Sequence, residues 1–225
     1  MTPRVVAIDG AAGSGKSTLA RLLAGELRLP YINTGAMYRA LTLAARRREI
    51  EIEDAEALVR LMETLDFTLS PRGRPDEPQE LWIDGAPPPE ELESAEVEAS
   101  VSAVATHPEV RAAMRAAQRA LGEGGAVMEG RDIGSAVFPD ARVKIFLVAE
   151  PQERAGRRVE ERGLEEVAGA LHERDRRDAR VNPFVPAEDA VVIDTSGLDV
   201  VGTLRTASAI VAERAPELLP RSSRS

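Results

Sequence analysis

The sequence predicts an α/β fold in which a mainly parallel β-sheet is flanked by helices. Short apolar runs at 5–8, 126–128, 143–148 and 190–193 have the length and the residue types of buried strands. Longer segments with helical spacing separate these runs, and this alternation is typical of parallel strands joined by helices. A glycine-rich stretch follows the first run and leads into a helix, so the loop at the end of that strand is the first candidate site.

Length and composition favour one domain. The chain has 225 residues, of which 43% are hydrophobic and 30% are charged, and this is an ordinary globular composition. We expect a single domain with a small insert and a lid. Its parts are a core (1–65, 109–150 and 181–214), an insert at about 66–108, a lid at about 151–180 and a tail at 215–225.

Charge, cysteine content and hydropathy restrict the partners. A net charge of −9 argues against a nucleic-acid partner, since such proteins normally carry excess positive charge. The chain has no cysteine and two histidines, so a bound metal must be held by oxygen atoms. No apolar stretch is long enough to span a bilayer, and the first residues lead directly into a strand. We expect a cytoplasmic protein without a membrane partner, and we take it to be a monomer.

The N-terminal half contains the clearest local signals. The strand at 5–8 is followed by the glycine-rich loop and by a helix at 16–24, and a short strand at 29–32 precedes a second helix. Within the insert, 66–69 and 79–84 have the pattern of two antiparallel strands on either side of a turn-rich connection.

Further helices follow the insert. Three consecutive prolines at 87–89 precede an acidic helix that is expected from about Glu90. Thr106 and Glu109 have the spacing of a capping box for the next helix, which the glycines from Gly122 onward end. The segment 199–214 has the pattern of a closing amphipathic helix, and 221–225 has that of a frayed tail.

Residues 150–180 are dense in charges of both signs. A pair of solvated helices with surface salt bridges would explain this composition. A lid whose arginines meet anionic ligands would also explain it, and the motifs described next favour the lid.

The glycine-rich stretch satisfies the pattern of Gly, four residues, Gly, Lys and Ser or Thr. Glycines let backbone N–H groups converge on phosphate oxygens, and the N-terminus of the following helix adds partial positive charge. Lys16 supplies a compact charge for the β- and γ-phosphates, and Ser17 offers a hydroxyl to Mg²⁺. We expect a phosphate-binding loop (P-loop) for a nucleoside triphosphate, formed by Gly10, Gly13, Ser14, Gly15, Lys16, Ser17 and Thr18.

Two polar segments follow other predicted strands. Residues 33–39 begin a helix directly after a short strand, and 129–134 place Arg131 and Asp132 between glycines at the end of another strand. Since the carboxyl ends of parallel strands meet at one edge of a sheet, these side chains can form a ligand site. A structural salt bridge between Arg131 and Asp132 is an equally good interpretation of the second segment.

Together these segments resemble the bacterial cytidylate kinases, over residues 5 to about 204. The resemblance rests on the P-loop, on 34–39, on 130–134 with 137–141, on 143–147, on 173–175 with Asp178, and on the insert. It implies a nucleoside monophosphate kinase fold that transfers the γ-phosphate of ATP to CMP or dCMP, with ATP and Mg²⁺ as cofactors.

The resemblance also implies roles for individual residues. Thr34, Arg111 and Asp132 would contact cytosine, Tyr38 and Ser102 would line the nucleoside pocket, and Arg39 and Arg131 would hold the acceptor phosphate. Arg157 would bind ATP, and Arg174, Asp178 and Arg180 would reach the substrate from the lid. The catalytic residues would be Lys16, Arg131 and Arg174, and Ser17 would bind the metal.

Three positions depart from the pattern of that family. Glu129 stands where aspartate is usual, and Thr34 stands where serine is usual, so a carboxylate and a hydroxyl are retained. One residue instead of two separates Asp178 from Arg180, so we expect a smaller kinetic effect from Arg180→Ala than from Arg174→Ala.

Two other functions fit the P-loop. A kinase of another monophosphate, or of a small metabolite such as shikimate, would share it, although the insert and the Arg131–Asp132 segment favour cytidylate. A regulatory switch that binds GTP should carry an Asn-Lys-x-Asp segment, which this sequence does not contain.

Overall fold

The computed structural model describes residues 2–74, 77–162 and 185–220. Its centre is a parallel sheet of strand order β2-β5-β1-β6-β7. The strands of this sheet are β1 (Val5–Gly10), β2 (Tyr31–Asn33), β5 (Ala126–Gly130), β6 (Val143–Val148) and β7 (Val191–Asp194). β1 pairs with both β5 and β6, and Val6 lies opposite Val127 on one side and Val143 on the other.

Helices cover both faces of the sheet. They are α1 (Lys16–Leu27), α2 (Thr34–Arg47), α3 (Ala55–Met62), α4 (Ala95–Val104), α5 (Pro108–Gly122), α6 (Pro151–Arg162) and α7 (Val200–Arg214). Side chains along β1 alternate between two hydrophobic cores, as the two-residue period of a strand requires. Val5 and Ala7 pack in the core under α2, α3 and α5, whereas Val6 and Ile8 pack in the core under α1 and α7. The predicted parallel sheet flanked by helices is therefore confirmed.

The insert contains the predicted antiparallel pair. β3 (Phe67–Leu69) pairs with β4 (Leu81–Ile83), and Thr68 lies opposite Trp82. The backbone N–H of Tyr31 in β2 donates to the carbonyl of Gln79 at 2.8 Å, which ties this small sheet to the edge of the large one.

Two local predictions in the insert need correction. The acidic segment from Glu90 starts as a 3-10 turn, Glu90–Glu93, and the α-helix begins only at Ala95, after the cap residue Ser94. The capping box at Thr106 and Glu109 is wrong, because α5 begins at Pro108 with His107 in the cap position. Proline fits the first turn of a helix, and the Thr106 hydroxyl donates instead to the carbonyl of Ala103 at 2.6 Å.

The C-terminal part is also more ordered than expected. A 3-10 turn, Pro216–Leu218, follows α7, and Ala215 and Leu218 are buried in the core under α7. The predicted tail from residue 215 therefore starts too early. Helix α6 forms the first part of the predicted lid, whereas the predicted lid residues 163–180 lie outside the described residues. In the described part of the chain, no helix has the length and apolar character needed to cross a bilayer.

Candidate active site

The P-loop connects β1 to α1 at the carboxyl edge of the sheet. Gly10 ends β1 so close to β6 that a Cβ atom there would lie 2.4 Å from the carbonyl oxygen of Leu147. Gly13 has a φ of 73°, which side-chain-bearing residues rarely adopt. Lys16 follows, and its Nζ donates to the carbonyl of Ala11 at 2.6 Å. The ammonium therefore lies inside the loop, next to the N-terminus of α1.

One cavity of about 220 Å³ opens beside this loop. Most of the predicted site residues line it, namely Gly13, Gly15, Lys16, Ser17 and Thr18 from the P-loop and Thr34, Tyr38, Arg39, Ser102, Arg111, Arg131 and Asp132 from the acceptor segments. The P-loop and the predicted acceptor residues thus line one cavity. This arrangement suits the transfer of a phosphoryl group between two bound nucleotides.

Three predicted residues lie beside the cavity and do not line it. Gly10 is the end of β1, and Ser14 is buried, with its hydroxyl donating to the carbonyl of Ala11 at 2.9 Å. Arg157 in α6 donates to the carbonyl of Thr195 at 2.7 Å and to its hydroxyl at 3.0 Å. The predicted ligands Arg174, Asp178 and Arg180 lie outside the described residues.

Helix α6 lies directly against the P-loop. Arg154 donates to the carbonyl of Ala12 at 3.1 Å, and a Cβ atom on Gly13 would lie 2.9 Å from the Arg154 carbonyl oxygen. The Arg157 guanidinium also forms an ion pair with Glu153 at 3.2 Å. The arginines at the start of the predicted lid are therefore held near the site where the sequence predicts triphosphate binding.

Asp132 and Arg111 form an ion pair across the acceptor end of the cavity. The Arg111 guanidinium donates to an Asp132 oxygen at 2.7 Å, and each side chain is 19% exposed. Arg131 donates to the carbonyl of Gly10 at 2.8 Å. Asp132 is therefore paired with Arg111 of α5, while Arg131 reaches back to the P-loop.

Asp9 holds the segment that carries Arg131 and Asp132. Its two oxygens accept hydrogen bonds from the backbone N–H groups of Ile133 and Gly134, both at 2.8 Å. Burial raises the pKa of Asp9 to about 6, although both hydrogen bonds act in the opposite direction. Sequence reasoning missed this residue, and the signal that could have found it is a carboxylate at the end of a buried strand.

Glu129 lies beneath the P-loop in a buried polar network. One carboxylate oxygen accepts from the Ser17 hydroxyl at 2.9 Å, and the other accepts from the hydroxyl of Tyr31. Burial, together with the negative charge of Glu129, raises the pKa of Tyr31 well above its usual range. Thr34 donates its hydroxyl to the Glu129 carbonyl at 2.7 Å, so β5, the P-loop and α2 meet at this residue.

The nucleoside end of the cavity is buried. Burial raises the pKa of Tyr38 to about 12, and the nearby Asp132 charge adds to this shift. Ser102 in α4 is 5% exposed, and Val101 beside it also lines the cavity. This end therefore combines apolar surface with a few polar groups, as small-molecule sites commonly do.

Arg39 is paired with an acid that sequence reasoning missed. Its guanidinium lies 2.9 Å from a carboxylate oxygen of Glu93, which belongs to the turn before α4. No motif contains Glu93, and an acid in an acidic segment gives no distinctive signal. Further lining residues that the sequence analysis did not assign are Ala12, Asn33, Gly35, Ala105 and Gly130.

Comparisons with known proteins agree on the family. The family profile described as cytidylate kinase matches residues 6–211. The cytidylate kinase of Enterococcus faecalis is 42% identical over 225 residues, covering 95% of this chain and 97% of that protein. A bifunctional pantoate ligase/cytidylate kinase from Synechococcus sp. (strain JA-3-3Ab) is 46% identical over 204 residues, which are 86% of this chain and 38% of that protein.

The matched proteins differ in length. The chain spans less than half the length of the bifunctional relatives that it matches. Among solved structures, an uncharacterized protein from Eubacterium ventriosum is similar in fold, with a TM-score of 0.50 at 14% identity over 93% of this chain and 98% of that one. The profile match over most of the chain and the identity to single-function relatives show that the chain belongs to the cytidylate kinase family.

Proposed function

We propose that this chain transfers the γ-phosphate of ATP to CMP or dCMP, giving ADP and CDP or dCDP. One observation carries the proposal: the P-loop and the Arg111–Asp132 pair line the same cavity. The first is a triphosphate site by its motif, and the second is suited to a base that offers both an amine and a carbonyl.

Cytosine fits the charged pair at the acceptor end. Its exocyclic amine would donate to the Asp132 carboxylate, and its ring carbonyl would accept from Arg111. Uracil would instead present a carbonyl to the carboxylate, which is an unfavourable contact. Because Arg111 and Asp132 already hold each other at 2.7 Å, the two groups are oriented before the base arrives.

The acceptor phosphate would lie between this pair and the P-loop. Arg39 and Arg131 both line that part of the cavity, and a guanidinium has the planar fork that suits phosphate oxygens. Arg131 is fixed by the carbonyl of Gly10, so it is positioned relative to the P-loop and hence to the γ-phosphate. Tyr38 and Ser102 would line the nucleoside pocket, and Thr34 would contact cytosine; all three residues line the cavity.

The transfer needs no general base. An anionic oxygen of the CMP phosphate attacks the γ-phosphorus, the bond to the β–γ bridging oxygen breaks, and ADP leaves with that electron pair. Lys16 would neutralise charge on the β- and γ-phosphates, while Arg131 would serve the acceptor side and Arg174 the lid side. Arg157 and the rest of the lid would keep water from the γ-phosphate, with Asp178 and Arg180 contacting the substrate.

The residues beside Lys16 fit Mg²⁺. This ion prefers hard oxygen ligands and keeps several waters and phosphate oxygens, so it needs few protein groups. The Ser17 hydroxyl can offer a lone pair to the ion while its proton is donated to Glu129, which is 2.9 Å away. When bound, the ion supplies charge neutralisation for the β- and γ-phosphates. In the described ranges, no group of three acidic or histidine side chains could hold a metal by itself.

We infer one domain in which the insert enlarges the acceptor end and the lid begins with α6, which lies against the P-loop. The net charge of −9 supports small nucleotides in preference to nucleic acid as partners. From the sequence, we also propose that the protein is a monomer and lies in the cytoplasm.

The test is product analysis. The purified chain is incubated with ATP, MgCl₂ and CMP, and the nucleotides are separated by ion-exchange chromatography. CDP and ADP should appear in equal amounts, and ADP formation should be slow when CMP is omitted. ADP that forms at the same rate without CMP, or that forms with no CDP, would contradict the proposal.

A further inference from the structure

Arg39 is a buried cation in the acceptor end of the cavity. The residue is 8% exposed, and its guanidinium lies against α2, where a Cβ atom on Gly35 would be 3.1 Å from Nη1. Nη2 lies 2.9 Å from a carboxylate oxygen of Glu93. The Nε atom is buried and has no hydrogen-bond partner among the residues that the structure describes. A buried guanidinium is costly without an anion, so the Glu93 contact stabilises Arg39 where it lies.

Glu93 can turn away from Arg39 when another anion takes its place. It is the last residue of a short 3-10 turn, and its side chain is 52% exposed, so water can solvate the carboxylate once it turns outward. The same turn contains a second glutamate, Glu91, that serves as a control. Glu91 pairs with Arg47 at 3.0 Å, but both side chains are exposed and neither lines the cavity.

We propose that Glu93 competes with the phosphate of the acceptor nucleotide for Arg39, and that it thereby sets the affinity of the site for the monophosphate. This inference rests on the proposed function, in which Arg39 holds that phosphate. Glu93 acts through Arg39 and is a positioning residue, not a catalytic one.

Electrostatics gives the direction of the effect. A dianionic phosphate and a carboxylate repel each other, so they do not share one guanidinium without loss of affinity. The carboxylate must leave Arg39 before the phosphate takes its place. The apparent affinity for the monophosphate is therefore the intrinsic affinity multiplied by the fraction of molecules in which Arg39 is available. Once the phosphate is bound, Arg39 and the reacting groups are arranged as they would be without Glu93. The Michaelis constant for CMP should therefore depend on Glu93, whereas turnover at saturation should not.

The experiment compares Glu93→Gln with wild type and with the control Glu91→Gln. We measure kcat and KM for CMP at saturating ATP, and the Kd for CMP by calorimetry without ATP. In Glu93→Gln, KM and Kd should both fall by roughly fivefold, because the amide cannot form the ion pair that competes with the phosphate. The kcat should stay within about twofold of wild type, and Glu91→Gln should match wild type in all three constants.

Several results would overturn the inference. KM and Kd that stay unchanged in Glu93→Gln would mean that the carboxylate does not compete, and an increase would mean that it helps to bind the substrate. An equal fall in both variants would indicate a general effect of charge. Glu93→Ala, with the same expected direction, replaces Glu93→Gln if that variant does not fold. A wild type that does not phosphorylate CMP would contradict the proposed function, whereas wild-type turnover with unchanged constants in the variant contradicts only the role of Glu93.

Discussion

At the scale of single residues, the P-loop motif predicts where the side chain of Lys16 lies. Two of the 29 basic residues are lysines, and one of them lies in the P-loop. A lysine ammonium is a compact point charge, whereas the arginine fork is wider, so a tight loop of backbone N–H groups accommodates only the first. The structure places the Lys16 Nζ inside the loop, 2.6 Å from the Ala11 carbonyl.

Lys16→Ala should lower kcat by at least about a hundredfold, because one preorganised cationic group on the transferring phosphate is typically worth that much. The thermal unfolding midpoint should change little, since the side chain lines a cavity and is not part of either hydrophobic core. The measurement is kcat at saturating ATP and CMP, with circular dichroism to check the fold. A variant with wild-type turnover would remove Lys16 from the mechanism.

Asp132 is the residue on which base recognition depends in this account. Asp132→Ala should reduce the ratio of kcat/KM for CMP to that for UMP by at least about tenfold, because the acceptor for the cytosine amine is lost together with the repulsion of the uracil carbonyl. Asp140→Ala is the control, since Asp140 is an exposed aspartate of the same loop region. An unchanged ratio would mean that Asp132 serves only to hold Arg111.

Residues that the sequence analysis missed share one property. Asp9 is bonded to residues 124 and 125 positions away in the chain, and Glu93 is paired with Arg39 across the cavity. No local pattern encodes such contacts, because the fold brings the partners together. Motif residues could be predicted because their geometry is contained in one short segment.

At the scale of elements, apolar periodicity predicted the strands and most helices, while boundaries depended on tertiary contacts. The central strands β1, β5 and β6 appeared as short apolar runs, since both of their faces are buried. The prediction of where α5 starts was wrong, because the Thr106 hydroxyl donates a hydrogen bond to the preceding helix instead of capping the next one. The buried Leu218 was predicted as tail, because three residues of a 3-10 turn give no periodic signal.

Asp9 links β1 to the segment after β5, and its contribution to the free energy of unfolding should depend on pH. The pKa of Asp9 is about 6 in the folded chain against an ordinary value of 3.8, so the folded state holds this proton more tightly than the unfolded state. The associated stability is complete below about pH 4 and is lost as the pH rises through about 6. Its full size is about 3 kcal/mol, from roughly two pKa units.

Asp9→Asn removes the carboxyl that titrates. The free energy of unfolding of wild type minus that of Asp9→Asn should therefore be larger at pH 4 than at pH 7. Urea denaturation at both pH values measures this difference. A difference that is equal at the two pH values, or smaller at pH 4, would show that burial does not raise the pKa of Asp9.

At the scale of the whole molecule, sheet topology creates the site. β1, β5 and β2 are neighbours and run parallel, so the P-loop, the segment with Arg131 and Asp132, and the start of α2 emerge at one edge. The sequence could predict this convergence from the general rule for parallel sheets. It could not predict how the insert closes the cavity, because the approach of α4 and of the turn with Glu93 depends on packing against α2.

The most direct test of the central claim is the acceptor preference of the purified chain. Values of kcat/KM are measured at saturating ATP and Mg²⁺ for CMP, dCMP, UMP, AMP and GMP, by coupling ADP release to NADH oxidation. We predict that CMP or dCMP gives the highest value and exceeds those of UMP, AMP and GMP by at least about tenfold. Cytosine offers an amine to Asp132 and a carbonyl to Arg111, whereas uracil lacks the amine, adenine lacks the carbonyl, and guanine carries the two groups on a larger bicyclic ring. A highest value with UMP, AMP or GMP, or ADP release that does not depend on any monophosphate, would contradict this prediction.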